Sequence, residues 1–169
     1  MKISHNRFKS FLVPLRKENI EQVRLWRNQH SIKKWMELQD SISKEEQKQW
    51  FNNLKDTKHH YFEIWHYHQF IGLIYLKFLK NRQAYEAGLF LGNEKFHGTG
   101  AGIEASVLLL KWSLDNDIKP VLAKVHKNHK NAILYNQYLG FKTFEEEGNF
   151  FWMLWDKNLF LNTFNLLLA

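Results

Sequence analysis

Three glycines fall within five residues in Gly98-Thr99-Gly100-Ala101-Gly102, directly after His97. Glycine accepts left-handed backbone angles without steric cost. A turn so built can point successive N–H groups into one concavity. An apolar run ending at Leu91 precedes it. After it Ile103, Val107, Leu110 and Leu114 recur at i, i+4, i+7 and i+11, the spacing of an amphipathic helix. Strand, glycine turn and helix therefore follow in order. The helix N-terminus adds about half a positive charge at the turn. The chemistry implied is anion binding, best suited to a phosphate or pyrophosphate.

Several ligands fit such a site. A Walker-type loop requires Lys-Ser/Thr after its glycines, and none follows here. Gly100-x-Gly102-x-x-Ala105 matches the dinucleotide fingerprint in form. That fingerprint wants an acidic residue about 20 positions on, at the end of the next strand, and the run from Val121 ends in basic His126. The pyrophosphate arm of acetyl-coenzyme A is a third reading, and a plain flexible turn is a fourth. Nine histidines raise the question of a metal, but His59, His60, His66 and His68 have no carboxylate at ligand spacing, and no metal site is expected.

The chain of 169 residues is long enough for one domain with a real core, and no linker or repeat divides it. One such domain, residues 1–169, is the expectation. There is no cysteine, which excludes disulfides, thiolate metal sites and a cysteine nucleophile. The N-terminus has no apolar signal segment and no run reaches 18 apolar residues, so a cytoplasmic protein without membrane contact is expected. With 24 Lys and Arg against 17 Asp and Glu, the formal net charge is +7. The basic residues are scattered instead of clustered, which argues against nucleic acid and for small anionic ligands.

The elements that must position the turn can be placed by pattern. Ser10–Leu15 reads as a strand, and 17–28 as a helix with Ile20, Val23 and Arg27 on one face. A second short helix carries Ile32, Trp35 and Met36. Ser43 and Glu46 form a capping box opening a third helix to about Leu54, with Gln47, Trp50, Phe51 and Leu54 inward. Strands follow over 60–66, 70–79 and 83–91, then the glycine turn and its helix to about Asn116. A strand over 121–126, a helix over 131–139 with Gly140 closing it, and a hairpin around Glu147-Gly148 complete the fold. The fold class expected is α+β (mixed α/β): a central, mostly antiparallel twisted sheet of about seven strands flanked by helices, with one βαβ crossover. The apolar tail 157–169 is expected to pack on the sheet or to meet a second subunit as a homodimer.

The turn His97-x-x-Gly100-x-Gly102, followed by Asn128-x-x-Asn131-Ala132-x-x-Tyr135 and by Leu139-Gly140-Phe141, resembles the GNAT superfamily of N-acetyltransferases over nearly the whole chain. His97 stands where that family usually has Arg or Gln. Trp26-Arg27-Asn28, with Lys34-Trp35-Met36, is similar to the subgroup that includes ribosomal-protein alanine N-acetyltransferases and UDP-4-amino-sugar N-acetyltransferases.

The resemblance implies acetyl-CoA as co-substrate and acetyl transfer to a primary amine. It places the coenzyme on Leu89, Phe90, Leu91, on His97, Gly98, Thr99, Gly100, Ala101 and Gly102, and on Asn128 and Asn131. Asn131 doubles as a candidate N-cap. Tyr135 would be the acid that protonates the thiolate, since a phenol of pKa about 10 keeps its proton at neutral pH. Glu86, mid-strand just upstream, is the candidate base, with a carboxyl pKa that burial would raise; a solvent-facing strand glutamate is the plain alternative. Trp26, Arg27, Asn28, Trp35 and Met36 would form the acceptor wall. An aromatic wall with one Arg suits a nucleotide-linked, anionic amino sugar; a protein N-terminus, a polyamine and a non-catalytic coenzyme-binding module are the rivals.

Overall fold

The computed structural model describes residues 1–168, Asp56 by its backbone alone; Ala169, the end of the expected tail, lies outside the described residues. Among the described residues eight strands and six α-helices follow in the order β1 (Ile3–Ser4), β2 (Ser10–Pro14), α1 (Ile20–Asn28), α2 (His30–Lys33), α3 (Lys44–Asn53), β3 (His60–His66), β4 (Gln69–Leu79), β5 (Ala84–Leu91), α4 (Ala101–Asp115), β6 (Val121–His126), α5 (Lys130–Tyr138), β7 (Phe141–Glu147), β8 (Phe150–Trp155) and α6 (Lys157–Leu168). The strand beyond the expected seven is β1, a two-residue edge piece on β2.

One sheet holds all eight strands in the order β1-β2-β3-β4-β5-β6-β8-β7. Its pairs are antiparallel except β5 with β6, which the α4 crossover joins in parallel. The two-residue turn Tyr67-His68, both at positive φ, closes the β3–β4 hairpin.

Because side chains alternate along a strand, the sheet has two faces with different partners. On one, Leu12, Ile64, Ile74, Val121, Ala123 and Met153 pack against Ala105, Leu109 and Leu110 of α4 in the main core. The tail joins this core: α6 buries Phe160 and Phe164 completely. On the other face Leu73 and Phe90 pack against Val23 and Trp26 of α1 and against Ile32 of α2.

Local expectations fail where a tertiary partner decides. The buried stripe of α1 is Ile20, Val23 and Trp26, not Arg27. Trp26 belongs there because its ring lies flat on Gly92 just past β5, where any Cβ would collide with it. The helix α2 ends at Lys33, so Trp35 and Met36 fall in the turn after it. In α3 the Ser43–Glu46 capping box forms as expected, but Gln47 is its only buried residue, donating to the Ile20 carbonyl at 3.0 Å.

Candidate functional site

Strands β5 and β6 pair only at Tyr85 with Val121 and Glu86 with Leu122. Beyond that point Ala87–Leu91 and Ala123–His126 part, while the other edge of β6 stays paired with β8 from Leu122 to His126. The wedge between them opens a cavity of about 700 Å³ reaching from Trp35 and Met36 to Tyr135 and His97. The splay lets a ligand pass between strands, from one sheet face to the other.

On the α4 side lie Leu89 and Leu91, packed on the main core with Tyr135. Here the glycine turn has its expected backbone: Gly98 and Gly100 have φ of 73° and 87°, and a Cβ on either would meet open space. Its amides divide. Those of His97 and Thr99 donate to the Glu94 and Phe96 carbonyls at 3.0 and 3.4 Å, and that of Ala101 reaches the Thr99 hydroxyl at 3.4 Å. Those of Gly98, Gly100, Gly102 and Ile103 have no protein acceptor among the described residues. The free donors are thus four around the start of α4, fewer than an unbroken row from His97 to Gly102. Ala101 itself is fully buried as the first helical residue.

His97 is explained by a local bond: its Nε2 lies 2.9 Å from the Leu91 carbonyl, fastening the turn to the end of β5. Glu104 supports the same turn from within α4. Its carboxylate accepts from the Lys9 and Ser10 amides at 3.1 and 2.8 Å and so ties the first turn of the helix to β2.

Tyr135 projects from α5 onto the start of α4. Its hydroxyl donates to the Gly102 carbonyl at 2.7 Å and lies 2.7 Å from Ser106 Oγ, which can donate to it. Burial pushes its pKa well above the ordinary value, opposed by the Ser106 hydrogen bond. Ser106 was not expected from the sequence; its signal is a hydroxyl in an otherwise apolar helix, one turn after Gly102. Asn131 lines the cavity, but it does not cap α5: the N-cap is His129. Asn128 is exposed and off the cavity, its amide donating to His126 Nδ1 at 3.1 Å.

On the opposite face stand Glu86, Lys124 and His126, all lining the cavity. Burial raises the Glu86 carboxyl above its ordinary range, and Lys77 and Lys124 pull the other way. Lys77 Nζ is 3.7 Å from Glu86 Oε2, too long for a strong hydrogen bond. Glu86 is therefore half-buried, underpaired and turned into the wedge. Phe90 alternates to this face and is buried with Trp26 in the second core.

Residues 34–42 cross this face as a strap. At its far end the Trp35 ring stacks on His129, centroids 4.2 Å apart at 24°, and meets His126 edge-on at 5.6 Å. Glu37 pairs with Lys124 at 2.7 Å. At its near end α1 holds it. Asn28 Nδ2 donates to the Ile42 carbonyl and its Oδ1 accepts from the Ile42 amide, both at 2.9 Å. Arg27 Nη2 donates to the Leu38 carbonyl at 2.8 Å. Arg27 Nη1 is buried without a partner among the described residues, and burial lowers the guanidinium pKa. So of the five residues expected as an acceptor wall, Trp35 and Met36 line the cavity. Arg27 and Asn28 lie off it and hold the strap, and Trp26 is buried in the second core.

The sequence matches the acetyltransferase (GNAT) domain family over residues 10–142. The chain belongs to that family. No protein of curated function matches it. Among solved structures it is similar to apo FdhC, described as a nucleotide-linked sugar GNAT (TM-score 0.77, 18% identity, 95% of this chain and 93% of that one). It is similar to spermidine N-acetyltransferase from Vibrio cholerae in complex with CoA and spermine (0.77, 16%, 91% and 99%). It is also similar to aminoglycoside acetyltransferase AAC(6')-Ib in complex with coenzyme A (0.77, 13%, 91% and 98%). At these identities the likeness to the solved structures shows the fold alone. No helix among the described residues is long and apolar enough to cross a membrane.

Proposed function

We propose that the whole chain is one acetyltransferase domain that moves the acetyl group of acetyl-CoA directly to the primary amine of a nucleotide-linked amino sugar. One observation carries this reading. The wedge between β5 and β6 has an underpaired, elevated-pKa carboxylate on one sheet face and a protonated phenol on the other. The free amides of Gly98, Gly100, Gly102 and Ile103 and the open space over the two glycines fit a pyrophosphate at the start of α4.

Glu86 takes a proton from the acceptor amine, directly or through water. The nitrogen lone pair attacks the acetyl carbon across the wedge, the C–N bond forms and the C–S bond breaks. The thiolate takes the proton of Tyr135. That proton is committed to Gly102 in the ligand-free protein, so the hydroxyl turns toward the sulfur while Ser106 donates to the phenolate it leaves. Direct transfer suits this arrangement because the chain offers no cysteine to carry the acetyl group.

The acceptor class rests on charge and on shape. Lys34 and Lys124 line the acceptor side, Lys124 held by Glu37 and Glu147 at 2.7 and 3.0 Å, with Arg27 Nη1 unpaired behind the strap and the chain at a net +7. A polycation is poorly matched to such a wall, and an anionic diphosphate is well matched. The similar structure described as a nucleotide-linked sugar GNAT supports the same choice. The test is calorimetric titration with acetyl-CoA, then thiol release with a UDP-4-amino sugar, an alanine-started peptide and spermidine. Binding, with turnover of the sugar foremost, is expected; absence of heat at millimolar acetyl-CoA overturns the reading.

Asn28→Ala tests the strap. Loss of both bonds to Ile42 is expected to raise the acceptor KM about tenfold while leaving the acetyl-CoA Kd unchanged, because a positioning contact is lost on one face only. Equal changes in both constants would assign Asn28 to general stability.

A further inference from the structure

The geometry points to Tyr75 as a second residue that touches the acceptor amine, its hydroxyl holding one amine N–H while the Glu86 carboxylate holds another. This deepens the acetyl-transfer reading and rests on it. Tyr75 pairs with Gly88 across the β4–β5 ladder, and its ring lies over that glycine. A Cβ at Gly88 would overlap the phenol oxygen. The strand is therefore bare at the one place where the hydroxyl crosses it.

Glu86 and Gly88 are two residues apart on β5, so their side-chain positions share a face and stand about 6.6 Å apart along the strand. Both Tyr75 and Glu86 line the cavity. An amine nitrogen between them can donate to each and turn its lone pair through the wedge toward the thioester.

The hydroxyl is otherwise uncommitted. It makes no hydrogen bond to a described residue, although Tyr61 packs on its ring at 5.2 Å. Burial and the neighbouring Glu86 keep the phenol protonated, so it orients the amine and does not deprotonate it. The proton balance stays as above: one amine proton goes to Glu86, and none passes through Tyr75.

Tyr75→Phe removes one oxygen and keeps the ring. Thiol release from acetyl-CoA is followed with the UDP-4-amino sugar, the alanine-started peptide and spermidine, and with water alone, across pH 5–9. The expected result is a loss of roughly 10–100-fold in kcat with unchanged KM for acetyl-CoA, unchanged melting, and an acid limb still set by Glu86. Gly88→Ala, which keeps the phenol and displaces it, is expected to show the same kcat loss. Wild-type kcat in Tyr75→Phe, or a fall that tracks only a lower melting temperature, overturns this inference alone. A wild-type protein that releases no thiol with any amine or with water overturns the acetyl-transfer reading and this inference with it.

Discussion

Glu86→Gln is expected to lower kcat/KM by about 10²–10⁴-fold, the range for loss of a general base. The isostere keeps the strand and the packing and removes only the basic site. The pH profile adds a sign. Burial raises the Glu86 pKa above its ordinary 4.5, against Lys77 and Lys124. The base works deprotonated, so the wild-type rate falls as pH drops through that elevated value, and the limb vanishes in the variant. Stability moves the other way. A carboxyl whose folded pKa is raised loses stability as pH rises from its unfolded to its folded value, and that deficit persists at neutral pH. Glu86→Gln is therefore expected to melt slightly higher than wild type at pH 7 while nearly inactive. A variant that keeps activity with a wild-type acid limb would move the base role elsewhere, with His126 as the cavity-lining candidate.

The glycine turn was legible because its chemistry is local. Gly98 and Gly100 must sit at positive φ, and no other residue type does so at no cost. The capping box of α3 was legible for the same reason. What escaped the sequence depends on partners far along the chain. Trp26 looks like a ligand wall until Gly92 is found beneath it. Asn28 looks like a substrate contact until Ile42 takes both its amide atoms. Tyr75, within the expected strand 70–79, lies over Gly88 of the neighbouring strand, where any Cβ would meet its hydroxyl. Asn131 read as a cap, but the turn begins two residues earlier because β6 runs straight into it through His126 and His129.

Two strand glutamates sharpen the point, since nothing in their local sequence tells them apart. Glu63 and Glu86 alternate to the same sheet face, yet Glu63 is fully buried and saturated. It accepts from the Arg16 amide at 2.9 Å and Arg16 Nη2 at 2.8 Å, from Asn19 Nδ2 at 2.8 Å and from Trp65 Nε1 at 2.8 Å. It is a structural post, whereas Glu86 stands underpaired in the wedge.

Glu63→Ala is accordingly expected to destabilise the fold by about 3 kcal/mol, the low end for breaking a buried pair. The low end applies because the Arg16 side chain is 46% exposed and can return to water, leaving the Arg16 amide, Asn19 Nδ2 and Trp65 Nε1 as the donors without an acceptor. Urea unfolding at pH 7 measures it. The acid side supplies the sign. Burial pushes the Glu63 pKa up, but the hydrogen bonds from Arg16, Asn19 and Trp65 outweigh it and hold the carboxyl below its ordinary 4.5. A depressed folded pKa contributes stability above the unfolded value that is lost as pH falls through the folded one. Wild type should therefore lose stability more steeply than Glu63→Ala below about pH 4.5, and the two curves should converge. Parallel curves over that window would mean that Glu63 contributes through packing and not through its charge.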